Sequence, residues 1–416
     1  MKADYLEGGF NMRIVLLVLV PIIFLAIALT GSHILVERFF ILIVLVMLFS
    51  YLFARFGLRG LKGNLKNPGK NYLPGQAVSI EAAVENQSSL LKAFLNVQVK
   101  TYQPGQKEKI TVNLPSKGNF TWHENLSYPH RGQYKLGPLV VESTDPFGLF
   151  RLRRVLDRGK DIIICPATVE LPFFQAEPGP PLNKYLFNEA SAFAGIREYV
   201  PGDSFNRIHW RSTAHTGKLI VKEFDIDQSE KIWVILDMHK DAKYGTGMET
   251  TEEYAITIAA SIIKKYHDSG LKVGLIAQNE AYHYYPAESG YINMWRMMET
   301  LAVLKASGST PLNRTLYRAR DQLAGNSLAV IITASTSDEI ADSIIGINKH
   351  GIKAAAILLE AASFGGNTSL QTTETRLSTS NIPTYVVKRG NNLSEVLNSR
   401  KIKSSGKSVK SHDIAS

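Results

Sequence analysis

Two stretches of the chain hold residues whose types and spacing could do chemistry. In the first, from Arg197 to Phe224, cations, a carboxylate, histidines and an indole crowd around a turn: Arg197, Tyr199, Gly202, Asp203, Arg207, His209, Trp210, Arg211, Ser212 and His215, then Lys222 and Glu223. Pro201-Gly202-Asp203 forms the turn, with φ preset by proline and strain relieved by glycine. Guanidinium–carboxylate pairs and a half-buried indole would brace two parts of the chain, or the same groups could be shown to a partner. The rival reading is a hydrolase built on Asp203, His209 and His215. It requires the three to converge, and adjacency along a loop is not geometry.

The second stretch is Asp237-Met238-His239-Lys240-Asp241, which follows the continuous apolar run Ile232–Leu236. Such a run suits a strand buried on both faces, and the residues just beyond its carboxyl end are where open α/β sheets place ligands. Asp237, His239 and Asp241 could offer oxygen and nitrogen to a divalent cation, with a hydroxyl from Ser309, Thr310 or Thr315 on a later loop. An Asp–Ser–Thr oxygen set suits magnesium, and a histidine shifts the preference toward zinc or manganese. The alternative is a plain charged loop, since Lys240 puts a cation where a metal would be repelled. Phosphate-binding Gly-x-x-x-x-Gly-Lys-Ser/Thr, dinucleotide-binding Gly-x-Gly-x-x-Gly after the first strand and the Gly-x-Ser-x-Gly elbow are all absent.

The elements that must position these groups come in three kinds. Residues 14–29 carry no charge, and Phe39–Ala54 repeats that composition between Arg38 and Arg55. Together they read as a membrane hairpin with helices at about 14–36 and 39–54, turning at Glu37-Arg38; a cleaved signal peptide and a soluble core hairpin are the alternatives. Arg55, Arg59, Lys62, Lys66 and Lys70 then follow with no acid among them. The positive-inside rule therefore places the chain beyond residue 55, and both termini, in the cytoplasm, at a cell (inner or plasma) membrane. This basic run accounts for part of the net charge of +10 over 416 residues through membrane lipid. Basic residues do not cluster with aromatics as nucleic-acid binding would want.

From about 63 to 170 the period is two, as in Val78–Ala82, Leu95–Val99 and Ile110–Leu114, with turn residues between, which predicts a β-sandwich. That domain closes on Asp145-Pro146-Phe147-Gly148-Leu149-Phe150, read as a structural corner. Residues 171–230 form a connector that carries the first stretch. From 231 to 399 apolar runs alternate with helical spacing (Ala255, Ile258, Ala259, Ile262, Tyr266), which predicts a doubly wound, mainly parallel α/β sheet. The lone cysteine, Cys165, sits in a strand-like run and reads as an inert buried thiol. The tail 400–416 is basic and Ser-rich, as disordered segments are.

With these pieces laid out, the chain resembles the domain-of-unknown-function 58 (DUF58) family. The resemblance is carried by Asp145–Phe150, by Arg197-Glu198-Tyr199-Val200-Pro201-Gly202-Asp203, by Ile208-x-Trp210-Arg211 with Ala214, and by Lys222-Glu223-Phe224. It implies a membrane-anchored protein with an Ig-like β-sandwich and a C-terminal von Willebrand factor type A-like domain. It further implies a non-enzymatic adaptor working with a MoxR-type AAA+ ATPase in assembly or maturation of envelope or other complexes. The chain has Asn206 and His215 where the family commonly has arginine. Type A domains hold magnesium with Asp-x-Ser-x-Ser; here only Asp237 matches, His239 and Asp241 stand at the serine positions, and Ala334-Ser335 replaces a later aspartate. The resemblance thus implies a degenerate magnesium site at Asp237, His239, Asp241 and Thr310, or no cofactor.

Overall fold

The computed structural model describes residues 19, 21–23, 25–27, 34–66, 69, 71–101, 109–174, 176, 193–200, 208–224, 231–323, 327–349 and 352–399, with backbone alone at 193–197 and 222–224. The chain divides into two compact units, Met1–Ile164 and Cys165–Ser416.

The N-terminal unit contains helix α1 (Ile34–Gly57), 24 residues long. It is the one helix among the described residues long and apolar enough to cross a membrane, and most of it is exposed. This corrects the expected start of the second segment and the place of the turn before it. Residues 34–36 and the would-be turn Glu37-Arg38 are helical parts of α1, so the second span starts five residues before Phe39. At ~1.5 Å per residue the helix reaches roughly 36 Å, enough for a ~30 Å hydrocarbon core without the snorkelling that a sixteen-residue segment needs. Of the first apolar run, Leu19, Pro21–Ile23 and Leu25–Ile27 are helical, and the rest of it lies outside the described residues.

Nine strands follow: β1 (Leu61–Lys66), β2 (Asn71–Tyr72), β3 (Ala77–Asn86), β4 (Lys92–Thr101), β5 (Ile110–Leu114), β6 (Asn119–Ser127), β7 (Gly132–Thr144), β8 (Arg151–Asp157) and β9 (Lys160–Ile164). They form a three-stranded sheet, β1-β3-β6, and a second sheet, β2-β9-β7-β4-β5, with β8 also paired to β7. The period-two runs become β3, β4 and β5, whose inward residues Val78, Ile80, Val84, Leu95, Val97 and Leu114 join one core with Leu61, Leu65, Leu139 and Ile164. Alternation places every second side chain on that face.

In the C-terminal unit, β10 (Phe193–Glu198) and β11 (Ile220–Phe224) pair antiparallel, and α2 (Trp210–Thr216) lies between them in sequence. A six-stranded sheet follows, built from β12 (Lys231–Asp237), β15 (Lys272–Gln278), β16 (Tyr282–Glu288), β17 (Ser327–Thr333), β18 (Lys353–Leu359) and β19 (Thr384–Val387). Its order is β16-β15-β12-β17-β18-β19, parallel throughout except for the edge strand β16. The short pair β13 (Gly245–Thr246) and β14 (Glu249–Thr250) precedes α3 (Thr251–Asp268); then come α4 (Tyr291–Val303), α5 (Leu312–Arg320), α6 (Asp338–Lys349), α7 (Gln371–Thr379) and α8 (Leu393–Asn398). All seven residues of β17 are buried, as a central strand covered on both faces requires. The chain winds outward one way from β12 and the other way from β17, so the switch point lies between those two strands.

Residues 165–174 pack within this unit. Lys265 Nζ on α3 donates to the carbonyls of Leu171 at 2.5 Å and Phe174 at 2.6 Å, and Val169 N–H donates to Ser261 Oγ at 2.9 Å. The Phe174 ring is buried between Tyr266 and Tyr385, 6.4 and 5.1 Å away between centroids. Burial pushes the Lys265 amine down to about 8 and the Cys165 thiol up to about 12, so this cysteine is an inert core group.

Candidate functional site

The sheet edge at the switch point is built first by strand geometry. β12 delivers Asp237 at its carboxyl end, and β17, its parallel neighbour, delivers Thr333 and then Ser335 two residues on. A spacing of two in extended backbone puts both hydroxyls on one side. Thr333 Oγ1 donates to Asp237 Oδ2 at 2.6 Å and Ser335 Oγ donates to the same oxygen at 2.8 Å. The backbone N–H of His239 donates to Asp237 Oδ1 at 3.1 Å. The carboxylate is 6% exposed, and three donors from the chain itself satisfy it.

The remaining residues expected here go elsewhere. His239 Nδ1 accepts from Asp241 N–H at 3.3 Å, which caps a 3-10 turn over Lys240–Ala242. The Asp241 side chain is 76% exposed, 3.7 Å from that imidazole. Thr310 Oγ1 accepts from Gln278 Nε2 at 3.0 Å, and Gln278 Oε1 accepts from Thr315 Oγ1 at 3.3 Å. The loop carrying Thr310 is tied to the β12 end by Gly308, whose N–H donates to Met238 O at 3.0 Å and whose carbonyl accepts from Lys240 N–H at 2.9 Å. A Cβ at Gly308 would stand 2.9 Å from Asn279 Cα and 3.0 Å from two carbonyl oxygens, so only glycine allows this approach. The buried Glu252 locks the same loop from α3, accepting from Ala306 N–H and from Lys243 Nζ, both at 2.9 Å.

These placements do not fit a magnesium ion. Asp237, His239 and Asp241 are joined only by local backbone bonds, and the Thr310 hydroxyl belongs to a separate set with Gln278 and Thr315. Among the described residues no three His, Cys, Asp or Glu side chains gather as a metal shell would. Of the expected ligands, the enclosed carboxylate of Asp237 is held by neutral donors. Thr333 and Ser335 were not singled out from sequence as partners of Asp237; their signal was a hydroxyl pair at spacing two where a buried strand ends.

The Arg197–Phe224 stretch is built on different terms. Arg197 lies opposite Val221 and Glu198 opposite Ile220 in the β10–β11 ladder, while Ile208 forms a further bridge with Val221. Among the described side chains of this piece, Ile208, Ile220 and Val221 are buried. His209 caps α2: its Nδ1 accepts from Ser212 N–H at 3.3 Å and lies 2.7 Å from Ser212 Oγ. The helix stops at Gly217, which takes the left-handed conformation (φ 69°) as C-terminal caps do. Thr213 Oγ1 accepts from Ile220 N–H at 3.0 Å, and Tyr199 N–H donates to Leu219 O at 2.9 Å.

What this frame displays is unlike a brace. Trp210 is 65% exposed, and Arg211 beside it is exposed as well. The surface pair Lys218–Glu198, 2.6 Å apart, has both side chains about two-thirds exposed. His215 is exposed in the last turn of α2, six residues and so roughly 9 Å of helix rise from His209. Gly202, Asp203 and Arg207 lie outside the described residues, as do the side chains of Arg197, Lys222 and Glu223.

Residues 195–360, from β10 to the end of β18, match the family model described as a protein of unknown function, DUF58. The chain is 20% identical over 236 residues to the uncharacterised protein YeaD of Bacillus subtilis, covering 54% of this chain and 56% of that one. Over 109 residues it is 30% identical to uncharacterised proteins of Mycobacterium bovis and Mycobacterium tuberculosis, covering 26% of this chain and 34% of theirs. It therefore spans about half the length of the first relative and about a third of the mycobacterial ones. Among solved structures, proximal thread matrix protein 1 of the mussel byssus aligns over 41% of this chain and 46% of its own, at 12% identity and a TM-score of 0.32.

Proposed function

We propose that this protein is a membrane-anchored, non-enzymatic interaction protein. Its partner surface is the exposed front of α2, Trp210 with Arg211, carried on the β10–β11 frame. The observation that supports this reading above others is the exposure of Trp210. A tryptophan locking two parts of a chain together is buried, whereas an exposed Trp beside an Arg is the residue pairing that dominates protein–protein contacts. The fold names that go with this reading are an Ig-like sandwich for the N-terminal unit and a von Willebrand factor A-like domain for the six-stranded sheet. The sheet order, with one antiparallel edge strand, supports the latter. In this reading the first apolar run supplies a second span, both termini are cytoplasmic, and the partner is a MoxR-type AAA+ ATPase, the class that the DUF58 resemblance implies.

The hydrolase alternative loses support from the α2 geometry. The His209 Nδ1 atom is engaged by Ser212 in a local cap, and His215 stands at the other end of the helix.

The test is affinity capture of the detergent-solubilised full chain from its native membranes, with and without ATP, followed by identification of AAA+ ATPases. Wild type and Asp237→Ala should retain the ATPase, while Trp210→Ala and Arg197→Ala should lose it. Absence of an ATPase from the wild type in both nucleotide conditions would overturn the partner.

A further inference from the structure

The Asp145–Phe150 turn, expected to be a structural corner, is unused by the proposed partner surface. Asp145 knots it from within: its Oδ2 accepts from Phe147 N–H at 3.0 Å, its Oδ1 from Phe150 N–H at 2.6 Å, and its own carbonyl from Gly148 N–H at 3.0 Å. The carboxylate is buried, 3% exposed, yet the turn it rigidifies points Phe147 (60% exposed) and Leu149 (39%) at solvent. A corner would bury these side chains. This one holds them out.

Their position relative to α1 gives the exposure a meaning. The Phe150 ring meets the Tyr51 ring edge-on, 5.7 Å between centroids. The end of α1 is pinned to the same edge of the sandwich: Lys92 Nζ donates to Phe56 O at 2.6 Å, and Arg154 donates to Leu58 O at 3.0 Å. Gly57 lies so close to Ser143 that an added Cβ would stand 2.2 Å from its Oγ. The turn is thus fixed alongside the last two turns of the helix. From Ile34 to Tyr51 the helix rises about 26 Å, close to the ~30 Å apolar thickness of a bilayer, so Tyr51 reaches the depth where aromatic residues favour the headgroup boundary. Phe147 and Leu149 lie within three residues of Phe150 on the same knotted turn, which holds them near that level. Exposed Arg55 and Arg59 follow on the helix side, and Arg151 and Arg153, each about half exposed, follow on β8, where the two cations share the single carboxylate of Glu142 at 3.0 and 2.8 Å. An apolar tip backed by cations is the arrangement that enters an anionic interface.

We infer that the Pro146–Phe150 turn is a second membrane contact, with Phe147 and Leu149 inserted into the headgroup–acyl boundary of an anionic bilayer beside α1, which sets the sandwich's tilt on the membrane. The inference rests on the reading of α1 as a membrane span.

The experiment uses the full chain in a Cys165→Ala background, reconstituted into phosphatidylglycerol-containing vesicles. An environment-sensitive fluorophore is placed on Phe147→Cys, Leu149→Cys, Leu45→Cys within the span, or Gln133→Cys at the far end of β7. Lipids with a quencher high on the acyl chain are then added for the Phe147, Leu149 and Gln133 labels, and lipids with a mid-chain quencher for the Leu45 label, about 16 Å along α1 from Ile34. The Phe147 and Leu149 labels should shift to the blue and lose emission, as the Gln133 label does not. A quenched Leu45 label with Phe147 and Leu149 labels matching Gln133 would overturn the inference and leave the span standing. An unquenched Leu45 label would remove the span and the inference with it. Blue-shifted but unquenched Phe147 and Leu149 labels would mean burial against a second copy of the chain, which also overturns it.

Discussion

The end of β12 and the front of α2 carry the same kinds of residue, and the fold treats them in opposite ways. At β12 the chemistry-bearing groups turn inward: Asp237 is enclosed and takes hydrogen bonds from Thr333, Ser335 and the His239 backbone. At α2 they turn outward: Trp210 and Arg211 are exposed on a frame whose own hydrogen bonds are made by His209, Ser212 and Thr213. The difference separates a polar group that holds the fold from one left facing solvent. A buried carboxylate with its donors in place stabilises the sheet edge. An exposed indole adds little to the fold, and in the reading proposed above its burial comes from a partner.

The largest effect expected from breaking this contrast is in stability. Asp237→Ala strands the buried Thr333 hydroxyl and frees Ser335, at a cost of roughly 2–4 kcal/mol. Urea unfolding followed through the C-terminal unit should show it, with Asp237→Asn costing less because the amide still accepts. Trp210→Ala should do the reverse. Its unfolding midpoint should match wild type to within about 0.5 kcal/mol, while affinity for the captured partner falls about 30-fold, the loss of a hot spot worth about 2 kcal/mol.

Lys265 sharpens the contrast through pH. Its pKa in the fold is about 8, below the ordinary lysine value of 10.5, because burial disfavours the charged form. The unfolded chain therefore binds more protons between those values, and stability rises with pH from about 8 to 10.5. Lys265→Met should abolish that rise. It should also loosen residues 165–174, whose carbonyls the amine holds, seen as faster backbone amide exchange there. The smallest effect concerns magnesium. A cation site filled at a hundredfold its Kd would stabilise the fold by about 2.7 kcal/mol, and exchanging millimolar magnesium for a chelator should leave the unfolding midpoint where it was.

Much of the fold was legible because its signals are local. Period two marked β3 to β5, and apolar runs alternating with helical spacing marked β12, α3, β15, β17 and β18. Edge strand β16 escaped notice because Pro286 sits within it; proline is tolerated there since an edge strand leaves one side of its ladder unpaired. The start of α1 was misplaced because Glu37 and Arg38 looked like a turn, whereas charges are readily carried near a helix end that reaches water. The site was less legible. Asp237 could be named from its strand, but its hydroxyl partners lie 96 and 98 residues away and meet it only through the β12–β17 pairing. The exposure of Trp210 could not be read at all, because the same Trp-Arg pair serves equally in a buried brace.

The most direct test of the account is site-specific photocrosslinking in native membranes, with a benzophenone amino acid at Trp210 in one preparation and at Ser309, on the exposed loop beside the β12 end, in another. The account predicts that the Trp210 position crosslinks to an AAA+ ATPase and that the Ser309 position does not. Crosslinking from Ser309 with none from Trp210 would contradict it and move the partner surface to the sheet edge.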